Sequence, residues 1–396
     1  MKVKRLNIQE KNHSFDVSLL FVTIFLCIFG LIMVYSASYY TAATRGLPGD
    51  YYFRRQLRSN LLGIALMLAA AFVPYHLHRI SAPVLYAAAL ILMVLTNYTS
   101  LGYTAGGRTR WITLFGIRFQ TAEVVKMAVV LLLAMLVLRY ARRLRGWKLW
   151  LLLLGVALVP AILVASNDLS SAVIIAALPL VIIILLNNNK RLSWFLIIAG
   201  ILILALGIYI KTMDMDRLQQ LGAWITEHTP LHEYQMRRIY MWNDPAFDAQ
   251  GDGYQILQGL YAIGSGGLFG KGLGASTQKL GFVPEASNDM IFSILCEELG
   301  LFGALSLILL YLFLLYRMLI IANQADDVFG SLITVGVMSQ IALQVIFHIG
   351  VAFNIIPNTG ISLPFISYGG TSSLFLMAEV GIVLNVGRGN SLRRKA

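Results

Sequence analysis

The residues able to do chemistry lie where an apolar chain should carry none. VPEASNDMIFSILCEELG, from Val283 to Gly300, places Glu285, Asp289, Glu297 and Glu298 at the mouth of a long apolar run. An acid there either caps the following helix, whose N-terminus favours negative charge, or stands ready to take a proton. Glu297 lies roughly 12 Å deeper than Asp289 along a helix, too deep for capping. Glu297 or Glu298 is therefore expected to bond neighbouring helices, and so is Glu379. RFQTAEVVK holds Arg118, then Glu123 and Lys126 one helical turn apart. That pair either orients helices or lines a polar cavity. Asp168, in ASNDLSS, reads as a helix cap, a cavity acid, or both. Arg108, Arg110, Arg118, Lys126, Arg237, Arg238, Lys271 and Lys279 gather around these acids. Base for phosphates beside a carboxylate for a proton suits an anionic, lipid-linked substrate.

The elements that must position these groups are membrane helices. The chain has 396 residues, of which 58% are hydrophobic and 13% charged. Ten apolar stretches are long enough to span a bilayer: 17–37, 58–75, 82–98, 122–139, 149–166, 170–187, 194–212, 290–316, 329–353 and 368–387. The fold class expected is an all-α polytopic membrane protein forming one domain over 1–396. The first stretch reads as a retained helix and not as a cleaved signal. Placing both termini in the cytoplasm puts Lys2, Lys4, Arg5, Lys11, Arg79, Arg139, Arg142, Arg143, Arg145, Lys148, Lys190, Arg191, Arg317, Arg388, Arg393, Arg394 and Lys395 inside. The short outer loops then keep only Arg45, Arg54, Arg55, Arg58, Arg108, Arg110 and Arg118. This is the bias that the positive-inside rule expects. The net charge of +12 is thereby explained without nucleic acid.

A large external loop, 213–289, separates the seventh and eighth spans. Its second half is rich in glycine yet apolar, so it is expected to fold back on the membrane face with an amphipathic helix near 253–263. GKGLGA, at 270–275, fits a loose dinucleotide pattern but lacks the strand and βαβ context that give the pattern meaning. Its glycines read as close approach of backbone. Cys27 and Cys296 fall in apolar runs and read as packing residues. No Cys/His cluster has zinc spacing.

Several stretches in order resemble the SEDS family (shape, elongation, division and sporulation). They are MVYSAS at 33–38, RFQTAEVVK at 118–126, NDPAFDAQGDGYQ at 243–255, AIGSGGLFGKGLG at 262–274, PEASNDMIFSILCEELG at 284–300 and GISLPFISYGGTSS at 360–373. The first and last are most like the FtsW branch. The resemblance implies a ten-helix inner-membrane glycosyltransferase that polymerises lipid II into β-1,4 glycan strands, releasing polyprenyl pyrophosphate. It also implies a class B penicillin-binding protein transpeptidase as partner, among other divisome or elongasome proteins. On this resemblance Asp289 matches the family's essential aspartate and is the expected general base. Arg110, Trp111, Arg118, Glu123, Lys126 and Asp168 match polar positions lining the family's cavity, Glu285 the acid of its P-E motif, and Ser367 its C-terminal signature. Lys271 is added as a phosphate-holding base. A divalent cation, Mg or Mn, is admitted, with ligands unknown. The sequence departs from the family at Thr121-Ala122, Asn167 and Ser287-Asn288, yet each acid and base survives. A lipid II flippase and a non-catalytic scaffold for a transpeptidase remain as alternatives. Intramembrane charge fits the first, but the charges gather near one face, and a flippase needs access from both.

Overall fold

A computed structural model describes residues 15–388 other than 106–107, 115, 142, 145–146, 187–189, 229–232 and 252. The basic residues Lys2, Lys4, Arg5, Lys11, Arg142, Arg145, Arg393, Arg394 and Lys395 lie outside the described residues, and of Arg108, Lys190 and Arg191 only the backbone is described.

Each of the ten expected spans coincides with a helix. They are α1 (Val17–Thr44), α2 (Tyr51–Phe72), α3 (His76–Tyr98), α4 (Thr121–Tyr140), α5 (Trp147–Ala165), α6 (Leu169–Leu186), α7 (Lys190–Lys211), α11 (Ile291–Gln324), α12 (Val328–Ala352) and α13 (Gly370–Arg388). Eight are long and apolar enough to cross a membrane by themselves; α2 and α7 are not among them. α2 carries Arg54, Arg55 and Arg58 in its first turns. α7 continues into α8 (Met215–His228) across a 119° bend, and that pair would make a ninth span. Leu, Ile, Val and Ala run round these helices, because lipid rewards apolar surface on the outside as well. On α1 the exposed Val17, Phe21, Phe25, Ile28 and Ile32 stack as a lipid-facing stripe. α4 sits at the other extreme, enclosed along nearly all of Thr121–Val137. It packs on α3, α5, α6, α12 and α13, so polar groups on α4 are held inside protein.

One element breaks the all-helical expectation. β1 (Gly102–Ala105), β2 (Arg108–Leu114) and β3 (Ile117–Gln120) form an antiparallel meander between α3 and α4. Its signal was the Thr, Trp and Ile content of RTRWITL and the turn glycine Gly116, at φ 78°.

The long loop is built and not open. α8 and α9 (Glu233–Asn243) pack together with Gly222 against Tyr240 and Met236. A 3-10 turn (Pro245–Asp248) leads to α10 (Tyr254–Gly266), the expected amphipathic helix. α10 lies on the first turns of α11, with Gly259 beside Met290 and Gly266 against the Cys296 carbonyl. The loop therefore folds back onto the helices.

Candidate active site

Asp289 sits in the turn that leads into α11. Glu285 begins that turn with φ 52°, and its carbonyl accepts the amide hydrogens of Asn288 (3.0 Å) and Met290 (3.3 Å). Its carboxylate accepts from Asn288 Nδ2 at 2.6 Å. The turn is clamped from the other side by the segment before α13. Ser367 Oγ donates to the Asn288 carbonyl (2.8 Å), and Tyr368 N donates to the Ser287 carbonyl (2.8 Å). Ser367 Oγ also accepts from Leu363 N at 2.8 Å. Ser367 thus helps to position the turn, its hydroxyl donating once and accepting once.

Gly360, at φ 72°, brings Asp289 and Arg110 together. A Cβ there would stand 3.1 Å from Asp289 Oδ2 and 3.7 Å from Arg110 Nη1. Glycine suits both that left-handed backbone and that narrow gap. Arg110 projects from β2; its Nε donates to the Asn167 carbonyl at 3.0 Å, while Nη2 is buried with no hydrogen-bond partner. Asn288 Oδ1, Asn358 Oδ1 and Thr359 Oγ1 are likewise buried and unpartnered. Buried polar atoms are nearly always satisfied, so a set of orphans beside one carboxylate marks a place for a ligand. Among the described residues Asp289 itself has no hydrogen bond or ion pair. Burial pushes its carboxyl up to about 6, Glu285 and Asp168 add to the rise, and Arg110 and Arg238 oppose it.

Asp168 lies at the edge of this group as the cap of α6. It accepts from Ser171 N (3.2 Å), Ser171 Oγ (3.0 Å) and Gln120 Nε2 (2.9 Å). Capping and proximity to Asp289 coexist, as the sequence allowed. Trp111 and Arg118 share one face of the sheet, through the pairs Trp111↔Gln120 and Thr113↔Arg118. The exposed Arg118 guanidinium lies 3.4 Å from the Tyr103 ring centroid.

Glu123 and Lys126 pair at 2.8 Å deep in the bundle, with Glu379 close enough to feel both charges. They read as an internal polar cluster of α4 and α13, not as groups at the Asp289 turn. Glu379 is further held by Gln340 of α12 at 2.9 Å. Lys271 pairs with Glu297 at 2.5 Å, and Lys279 pairs with Glu298 at 2.7 Å. Both lysines are therefore counter-ions of buried acids. The structural role expected of Glu297 and Glu298 matches this placement. Asn358, Thr359 and Gly360 were not singled out from sequence; the turn signal PNTG between the last two spans was the available clue.

The family described as "Cell cycle protein", FtsW/RodA/SpoVE, matches residues 17–392. The probable peptidoglycan glycosyltransferase FtsW of Bacillus subtilis is 34% identical, over 94% of this chain and 90% of that protein. Stage V sporulation protein E of the same organism is 33% identical, over 96% and 98%. Among solved structures, one described as structural coordination of polymerization and crosslinking by a peptidoglycan synthase complex aligns with TM-score 0.72 at 26% identity, covering 96% of this chain and 99% of that one. The rod shape determining protein RodA of Thermus thermophilus shares the fold, with TM-score 0.65 at 24% identity over 96% and 98%.

Proposed function

The chain belongs to the FtsW/RodA/SpoVE family of cell cycle proteins and is a multi-pass membrane peptidoglycan glycosyltransferase of cell division or cell shape; from that premise we propose that it polymerises lipid II with Asp289 as general base. The single observation that carries the residue assignment is the unpaired Asp289 carboxylate set against Arg110 across Gly360. The donor is a glycan on polyprenyl pyrophosphate, and the acceptor is the 4-hydroxyl of the incoming GlcNAc. Asp289 takes the hydroxyl proton as the oxygen attacks the anomeric carbon with inversion, and pyrophosphate leaves. A carboxyl near pH 6 is ionised at neutral pH yet basic enough to accept a proton. Arg110 is pre-aimed by Asn167, so its unpartnered Nη2 is ready for the charge that develops on pyrophosphate. Arg238 adds positive potential nearby.

Among the described residues no three His, Cys, Asp or Glu side chains converge as a metal cage. Mg²⁺ or Mn²⁺, as a cofactor of this reaction, would be held chiefly by substrate pyrophosphate and would offset phosphate charge. The reading places both termini in the cytoplasm, the site at the outer face of the bacterial cytoplasmic membrane, and a class B penicillin-binding protein transpeptidase beside it. The polymerising and crosslinking complex that this chain resembles supports that partner. The test is gel analysis of labelled lipid II incubated with the purified protein and a bound transpeptidase partner, wild type beside Asp289→Ala. Wild type makes polymer, and the variant loses about 10²–10⁴-fold in rate. Equal polymer from both would remove Asp289 from the mechanism.

A further inference from the structure

The outer ends of α1 and α2 carry Tyr35, Tyr39, Tyr40, Tyr51, Tyr52 and Phe53 within a short stretch. The rings are organised. Tyr35 meets Tyr39 at 5.8 Å and Phe53 at 5.7 Å between centroids. Tyr51 meets Tyr52 at 5.2 Å, and Tyr52 meets Tyr368 at 5.2 Å, edge to face. Gly49 backs the Tyr39 ring, where a Cβ would fall 2.3 Å away, and Gly281 of the long loop backs Tyr40. Arg45 Nη1 fixes the Tyr52 hydroxyl at 2.8 Å. Tyr39, Tyr40 and Tyr51 stay exposed, with the cation of Arg55 near Tyr368. The wall is continuous with the site, because Tyr368 N bonds the Ser287 carbonyl two residues before Asp289.

We propose that this tyrosine wall holds the glycan strand already made, a β-1,4-linked amino-sugar polymer bearing anionic peptides. The proposal rests on the polymerase reading above. Pyranose rings present C–H faces that suit the negative faces of aromatic rings, and phenol hydroxyls both donate and accept. Exposed Arg55 suits the peptide carboxylates. Tyr35 and Tyr368 stand at the ends of the spans expected at 17–37 and 368–387, and the rest of the wall lies between the spans expected at 17–37 and 58–75, on the face that the reading above places outside. A polymerase that releases its strand after each addition makes dimers, whereas one that keeps a grip makes long chains. The alternative is the Tyr-rich girdle common to membrane proteins, which has no reason to affect chain length.

The experiment compares strand lengths at equal lipid II consumption, with the transpeptidase partner bound, for wild type, the double variant Tyr39→Ala/Tyr51→Ala, and Tyr39→Phe/Tyr51→Phe. The Ala variant is expected to shorten the mean strand about threefold or more, the factor that loss of ordinary aromatic contacts gives. The Phe variant keeps most of the length. Unchanged length in the Ala variant, or equal shortening in the Phe variant, overturns the proposal. No polymer from wild type overturns the polymerase reading itself, a different failure. If the Ala variant is too unstable to polymerise, the same tyrosines are changed singly in Asp289→Ala, and binding of lipid-free, uncrosslinked strands is measured. Undiminished binding there also overturns it.

Discussion

Asp289 and its neighbours fix the pH behaviour at the scale of single residues. On the proposed mechanism Asp289 must be ionised to act, so the rate should fall as pH drops through about 6, the value to which burial and Glu285 raise this carboxyl. Glu285→Gln removes a like charge and should move that acid limb of kcat/KM to lower pH. Loss of Arg110 removes an opposing charge and should move the limb upward while slowing turnover. A pH–rate profile of lipid II polymerisation checks both signs. A limb indifferent to both changes would mean that another group titrates.

The helix break at Gly300 decides what happens at the scale of elements. α11 runs Ile291–Gln324, yet Gly300 takes φ 65°, ψ −165°, a region that essentially only glycine visits. The interruption frees backbone groups at membrane depth, where no water can satisfy them. The long loop supplies the partners. Lys271 N and Gly272 N donate to the Glu297 and Glu298 carbonyls, each at 2.9 Å, and Gly267 and Leu268 accept from Leu301 N (3.0 Å) and Phe302 N (3.2 Å). Side chains repeat the theme. Glu297 accepts from Lys271, Ser276, Thr277 N and Gln278 N, and Glu298 accepts from Lys279 and from Ser36 Oγ on α1 at 2.6 Å. Gly300→Ala would put a Cβ 2.3 Å from Gly270 N and should cost about 1–3 kcal/mol, read as a lower melting temperature in detergent. Lys279→Met leaves the buried Glu298 carboxylate without its counter-ion and should cost about 3–5 kcal/mol, whereas Lys279→Met/Glu298→Met should recover most of it. Failure of the double variant to recover stability would show that the pair is not an isolated unit.

Across the whole molecule, the apolar helices and the folded long loop set which surface meets which compartment. Cys27 and Cys296 are both buried and should not react with a membrane-impermeant maleimide. That silent background allows a direct topology test. A cysteine replacing exposed Ala249, in the long loop, should label from outside intact cells. One replacing exposed Arg143, in the turn between α4 and α5, should label only after permeabilisation. The reverse pattern would invert the reading of both termini as cytoplasmic.

The sequence by itself determined the spans, the long loop and the acids at the mouth of α11. Hydrophobic stretches of bilayer length are a local property, and an acid at a helix mouth is visible without knowing its neighbours. It also set the structural duty of Glu297 and Glu298, because depth along a helix follows from residue count. Only the tertiary structure assigned the lysines. Lys271 and Asp289 are close in the chain, yet Lys271 is drawn to Glu297 because the loop docks on the break at Gly300. The same holds for Gly360, which is 71 residues from Asp289 and touches it because Ser367 and Tyr368 clamp the Ser287–Asn288 backbone. Long-range pairing between loops leaves no periodicity in a sequence. It is written in which buried hydrogen-bonding groups find partners, and that is decided only when the chain has closed.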